Sequence, residues 1–284
     1  MDAEERWCKQ FNALPDESVR IYQHSWEASE IEEKTEIIRN SLNTKMDKAR
    51  FSSNLFKETG AWMEALPSPQ LGTHLSNDEF RISVSLRLGI QIVQQHKCIC
   101  GSKVDAFGRH GLSCTKASGT RARHESVNNL IQRALKSAEV PSIREPPGCS
   151  RPDGKLPDGL TLVPWEKGKS LLWDYTCGDT FALSYVNRTS VEPGFVAKQA
   201  ENLKYKKYNK LLDTCVFIPV ASETSGIIGS VGLVLLKKIG TMISRVTHEK
   251  RATSYLIQRI AVAIQRGNVA SIPPSKNLGE IFYL

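Results

Sequence analysis

The sequence predicts an α/β fold: a small mixed sheet flanked by helices, preceded by a Cys/His metal knuckle and a helical N-terminal segment. Three observations carry this. Residues 155–177 read KLPDGLTLVPWEKGKSLLWDYTC, two apolar strands about a polar turn at Glu166-Lys167-Gly168-Lys169. A third apolar run, TCVFIPVA at 214–221, follows a lysine-rich helical stretch and suits a strand paired beside the hairpin. Between 98 and 114, three cysteines and a histidine crowd a segment too short and too polar for a core of its own.

With 284 residues the chain is long enough for one large domain or two smaller ones. Its net charge of +8 is unevenly spread: residues 1–60 carry nine Lys/Arg against twelve Asp/Glu, and the remainder 29 against 18. A basic body behind an acidic lead points to a polyanionic partner, most simply nucleic acid. The opening Met1-Asp2-Ala3-Glu4-Glu5 lacks the basic-then-apolar order of a secretory signal. The longest apolar run, near 226–236, falls short of the ~20 residues a membrane helix needs. Seven cysteines without such a signal favour thiols or metal over a disulfide framework. The expectation is a soluble intracellular protein with no membrane partner.

Segment 1–60 is charged, poor in Gly and Pro, and helical in pattern, with Ile31, Ile37, Ile38, Leu42 and Met46 at loose helical spacing. It carries no chemistry and reads as a packing or spacer piece of a longer protein. Residues 61–96 hold a turn with Pro67 and Pro69, then a helix capped by Asn77 or Asp78 and ended at Gly89. Residues 97–119 form the knuckle: Cys98 and Cys100 one residue apart, His110 nine residues on, Cys114 three beyond. Three thiols and an imidazole suit a tetrahedral Zn²⁺, whose binding would supply the folding energy the segment lacks. His96 and His124 are nearby substitute ligands, and reduced, partly buried thiols are the metal-free alternative.

From Thr120 a helix with the apolar stripe Val127, Leu130, Ile131 and Leu135 runs toward Pro141. Arg121, Arg123 and His124 crowd its first turn, where the positive end of the helix favours phosphate, so they read as backbone-phosphate contacts or as a solvated basic turn. In the hairpin, Asp158 opens the first strand and Asp174 interrupts a run that otherwise wants burial. A buried carboxylate is costly without a compensating cation. Two acids brought together by a hairpin suit Mg²⁺, a hard cation with oxygen ligands; a surface hairpin with solvated acids is the alternative. Residues 194–213 are helical, and at about 100° per residue Ala197, Ala200, Lys204, Lys207, Tyr208 and Leu211 share one stripe, with Lys206 and Lys210 outside it. Lysines on an inward face need an acid or a ligand unless their stems snorkel, and Asp158 and Asp174 are the acids at hand. Helices over 231–246 and 252–266 read as core cover, and 271–284, with Pro273-Pro274, as a loosely docked tail.

Together these residues resemble the C-terminal region of the early-branching non-LTR retrotransposons that encode a restriction-like endonuclease. In that family a Cys-Cys-His-Cys knuckle follows the reverse transcriptase, matched here by Cys98, Cys100, His110 and Cys114, and a PD-(D/E)XK-type nuclease follows the knuckle. Its Lys/Arg-x-Pro-Asp motif is matched by Lys155-Leu156-Pro157-Asp158, its second acid by Asp174, and its strand entry by Glu145-Pro146. The basic residues ahead of the next helix are matched by Arg121, Arg123 and His124. Pro152-Asp153 is a second Pro-Asp pair just upstream. In this branch the motif's lysine has left the strand, where Thr176 stands, for a downstream Lys-x-x-Lys-Tyr run, matched by Lys204, Lys207 and Tyr208. The resemblance covers about 60–270. The interval between the two acids is slightly long for the family, the knuckle spacing is slightly off, and no polymerase motif is present.

The resemblance implies a restriction-endonuclease-like fold over 120–270. It implies a metal-dependent DNA endonuclease that nicks a target strand to expose a 3′-OH primer for reverse transcription. Asp158, Asp174 and Glu145 would hold Mg²⁺, and Lys204 or Lys207 would orient the attacking water or stabilise the phosphorane. A structural Zn²⁺ would fill the knuckle, and Arg121, Arg123 and His124 would grip DNA. Target DNA, the element's RNA and an upstream reverse transcriptase domain would be the partners, in the nucleus. The alternative is a catalytically inactive nucleic-acid-binding remnant; a purely structural or interaction protein comes third.

Overall fold

The computed structural model describes residues 3–17, 23–149 and 154–272. Pro152-Asp153 and the tail from Pro273 lie outside the described residues. The chain divides into two compact units, Met1–Thr44 and Lys45–Leu284.

The first unit contains helices α1 (Ala3–Phe11) and α2 (Gln23–Ser41). Trp7 stacks at 4.3 Å on Phe11 and meets Trp26 edge-on at 6.0 Å. The loose apolar spacing forms no buried stripe: Ile31, Ile37 and Ile38 are exposed. The division falls inside the predicted 1–60 segment, because Ala49, Ser53 and Thr59 are buried in the second unit.

The second unit opens with helices α3 (Lys45–Asn54), α4 (Lys57–Gly60) and α5 (Asn77–Leu88). The α5 cap is Ser76, one residue ahead of the predicted Asn77 or Asp78. Its hydroxyl accepts from the Glu79 N–H, and Glu79 reaches back to the Ser76 N–H in a capping box. Gly89 ends α5 in the left-handed conformation, as the sequence suggests. A short hairpin, β1 (His96–Lys97) and β2 (Lys103–Val104), leads into α6 (Arg109–Ser113) and the long α7 (Ser118–Ser137).

The sheet follows, from β3 (Ser142–Arg144), β4 (Gly159–Glu166), β5 (Lys169–Gly178) and β6 (Val216–Glu223), in that spatial order. β3, β4 and β5 are antiparallel, and β6 joins parallel to β5, so the sheet is mixed and flanked by helices, as predicted. The β4–β5 connection has positive φ at both Lys167 and Gly168 (49° and 75°), the two-residue arrangement whose twist matches the strands it joins. Pro164 cannot donate to the ladder, and the register shifts on either side of it. Thr161 covers the lapse by accepting the Leu171 N–H at 2.9 Å.

Between β5 and β6 run α8 (Val186–Thr189), α9 (Phe195–Lys207) and a single 3₁₀ turn; α10 (Ser230–Thr247) and α11 (Ala252–Ala270) close the unit. β5 is buried on both faces. Leu171, Trp173 and Tyr175 pack with Val127, Ile131 and Leu135 of α7 and with the apolar stripes of α10 and α11. Leu172 packs on the opposite face with Tyr208 and Phe217. Side chains alternate along a strand, so Asp174 shares the Leu172 face, the one α9 covers. No helix among the described residues is long and apolar enough to cross a membrane.

Candidate acidic centre and candidate metal centre

Gly159 pairs with Trp173 in the β4–β5 ladder, so Asp158 and Asp174 are the next cross-strand neighbours. Both are buried, at 7% and 4% exposure. Gly159 is required by this packing: a Cβ there would overlap the Trp173 indole. Trp173 in turn donates its indole N–H to Asn128 Oδ1 at 3.1 Å, which ties the hairpin to α7. The Tyr175 N–H donates to Asp158 Oδ2 at 2.6 Å, and Arg144 Nε donates to the Asp158 main-chain carbonyl at 2.8 Å.

Two basic side chains reach the acids from different elements. His124 Nε2 of α7 lies 3.3 Å from Asp158 Oδ2. Lys204 of α9 forms an ion pair with Asp174 Oδ2. Burial pushes the Asp158 carboxyl up, but His124 and the Tyr175 N–H outweigh it and hold the group below the ordinary aspartate value. Asp174 moves the other way: burial, joined by the Asp158 charge, raises it despite Lys204. The hydrogen bond to Asp158 raises His124 against its own burial.

Lys204 owes its position to two other buried acids. Glu223 at the end of β6 accepts the N–H groups of Val196 and Ala197 on Oε1, at 3.0 and 3.2 Å, and the Thr180 hydroxyl on Oε2 at 2.9 Å. It thereby satisfies orphan donors at the α9 N-terminus. Glu201, within α9, accepts the Gly232 N–H at 3.0 Å and does the same for α10. Burial raises both carboxyls, while these N–H donors oppose the shift.

The thiol cluster is assembled by the β1–β2 hairpin and α6. Cys98 and Cys100 sit in the hairpin turn, His110 lies on α6, and Cys114 follows its last turn. Cys98 Sγ and Cys114 Sγ are 3.8 Å apart, Cys100 Sγ and His110 Nε2 are 3.1 Å apart, and all four ligand atoms lie within 4.8 Å of one another. Such a set can hold a metal ion. Hydrogen bonds from Ser102 lower the Cys100 thiol to about 6, so it reaches the thiolate form that a metal ligand requires. All four predicted residues are together; His96 and His124 are not among them.

Several predicted residues stand elsewhere. Arg123 is not a phosphate contact: it is 1% exposed, donates to Asn268 Oδ1 at 2.6 Å and lies 3.4 Å from the Leu112 carbonyl. α7 starts at Ser118, earlier than the pattern suggests, which moves Arg123 into the second turn and onto the face that packs on α11. His124 contacts an acid instead of standing free for DNA, and Arg121 remains exposed. Glu145 does not join the acids. Its backbone is left-handed (φ 47°), its N–H donates to the Asp158 carbonyl at 3.1 Å, and its side chain is exposed. Lys207 is exposed as well. The buried arc of α9 centres on Ala197, Glu201, Lys204 and Tyr208, and Lys207 falls at its margin, about 80° from Ala197. Of the Lys-x-x-Lys pair, only Lys204 meets a carboxylate.

Asn128 and Arg144 are site residues that the motif reading passes over. The signal for Asn128 was an amide in an otherwise apolar helical stripe, four residues after His124. No signal marked Arg144, whose role depends on the β3–β4 pairing. No protein-family model matches the chain, and no curated protein matches it.

Proposed function

We propose that the second unit is a metal-dependent DNA endonuclease, the nicking part of a retrotransposon protein that exposes a 3′-OH primer for reverse transcription. The observation that carries this is the lysine from α9 on Asp174, beside Asp158, with Thr176 at the strand position where the usual motif has its lysine. The mixed sheet flanked by helices supports the restriction-like reading of the fold.

Asp158 and Asp174 offer oxygen ligands on adjacent strands, and no third acid clusters with them among the described residues. That fits Mg²⁺, which commonly takes one or two carboxylates and fills its shell with water and substrate phosphate. When bound, Mg²⁺ would polarise the scissile phosphate and acidify the attacking water. His124, Arg144 and the Tyr175 N–H hold Asp158 in place. Lys204, which pairs with Asp174, would orient the water or neutralise charge developing on the phosphate oxygens. In the knuckle, a tetrahedral Zn²⁺ with bonds of about 2.3 Å to sulfur sets its ligand atoms about 3.8 Å apart, the separation of Cys98 and Cys114. A structural zinc is therefore the ion we assign there.

Nicking of supercoiled plasmid in Mg²⁺ tests the centre. Asp158→Asn and Asp174→Asn should each abolish it, and nicking that survives both substitutions would show that the acids are misassigned. Wild-type protein that retards DNA but never nicks it would favour the binding-remnant reading.

A further inference from the structure

α7 and α11 pack side by side. Arg133 of α7 and Arg259 and Arg266 of α11 line a cleft of about 240 Å³, with Ser126 and Asn129 at its polar edge. Arg266 is committed to the fold: it donates to the carbonyls of Gly72 and His74 and pairs with Glu79 at 3.6 Å. Arg133 and Arg259 are not. Among the described residues neither side chain has an ion pair or a hydrogen bond, and Arg259 Nε is buried without a partner. Burial and the Arg133 charge both pull Arg259 below its ordinary value, so the two guanidinium groups repel each other in a partly desolvated site.

For the protein alone this is an unfavourable arrangement, because two like charges face each other with no counter-charge and one of them is partly desolvated. An anion with several acceptor oxygens would supply it. Guanidinium groups present planar forks of donors that match phosphate, and two of them side by side can share one. The edge of the cleft supplies donors too. Asn129 Oδ1 already accepts from Arg144 Nη1 at 2.8 Å, which leaves the Asn129 amide N–H groups for an acceptor oxygen. The same Arg144 holds the Asp158 carbonyl through Nε. The cleft is thus one arginine side chain away from the acidic centre.

We propose that the Arg133/Arg259 cleft is a nucleic-acid backbone subsite, binding a phosphodiester away from the one that is cleaved. The choice of DNA as its source rests on the endonuclease reading. The site itself rests on the two unpaired arginines.

The test is binding of a labelled DNA duplex by fluorescence anisotropy across a salt series, in EDTA so that no cleavage intervenes. Wild type, Arg133→Gln, Arg259→Gln and the double variant are compared with a charge-matched control, Lys237→Gln with Lys250→Gln. The double variant should bind more weakly than the control, with its log–log salt slope reduced by about 1–2. Its melting temperature should be unchanged or higher, because a repulsive pair has been removed. Arg133→Gln, at an exposed position, keeps the test open if Arg259→Gln does not fold. Wild-type binding that the double variant matches would overturn the cleft and leave the endonuclease reading standing. Wild type that binds no DNA would overturn both. If inorganic phosphate raises the wild-type but not the double-variant melting temperature while DNA binding is equal, the site takes free anions and the backbone assignment fails.

Discussion

The thiol cluster and the acidic centre are assembled over very different ranges of the chain. Cys98, Cys100, His110 and Cys114 come from one short stretch, a hairpin and a single turn of helix. The acidic centre draws His124 from α7, Asp158 from the residue just before β4, Asp174 from β5 and Lys204 from α9. Residues close in sequence must also be close in space, so a ligand set with regular spacing can be read before any fold is known. A site gathered from four elements can be read only as far as the face each residue presents.

The largest expected effect bears on the thiol cluster. Cys100→Ser should lose the bound metal, falling from about one zinc per chain by elemental analysis, and 97–119 should lose its order. If the site ranges are independent, the backbone NMR resonances of Trp173 and Tyr175 should stay in place. Their collapse along with the knuckle would break the comparison.

Next is the lysine pair. Lys204→Ala should slow nicking by about 10²–10³-fold, the range for removing one preorganised charge donor. Lys207→Ala, at an exposed position, should leave the rate within about twofold of wild type. Equal losses would mean that the helix face, and not the ion pair, had been misread. Smaller again is Gly159→Ala, which forces a methyl group against the Trp173 ring and should destabilise the fold by about 1–3 kcal/mol in urea unfolding.

The smallest effect is a titration. In metal-free protein His124 should titrate above its ordinary value of about 6.5, because Asp158 favours the charged imidazole. Its raised value makes this contact stabilising below about pH 6.5, with the contribution lost as pH rises through the folded-state value. The lowered value of Asp158 makes its share present above about pH 4 and lost in acid. In Asp158→Asn the His124 pKa, followed by its imidazole NMR shifts across pH, should return toward about 6.5; a value that stays raised would show that another group holds it.

The hairpin, the third strand, the flanking helices and the thiol cluster were legible because each rests on a local pattern, an alternation, a stripe or a spacing. The stripe on α9 brought Lys204 to an acid but could not separate it from Lys207, since a helical wheel has no knowledge of where the buried arc is centred. Glu201 and Tyr208 set that centre, and Glu201 is there to accept an N–H from α10. Arg123 went astray for a related reason. A cation near a helix start looks like an anion contact, and only the packing of α7 on α11 turns it toward Asn268. Glu145 needed knowledge of a left-handed backbone at a non-glycine residue, which sequence seldom signals.

The parallel pairing of β6 with β5 has a consequence in time. Two antiparallel strands can close as soon as their turn is made, so the hairpin that bears both acids is complete once the chain has reached Gly178. The lysine rides on the crossover that follows, and the helix carrying it is held at its N-terminus by Glu223, the last residue of the last strand. A nascent chain on the ribosome therefore displays the acids before it can deliver the lysine. On the endonuclease reading, nicking waits for the final strand, so a chain interrupted before Val216 should carry the acids and fail to nick DNA.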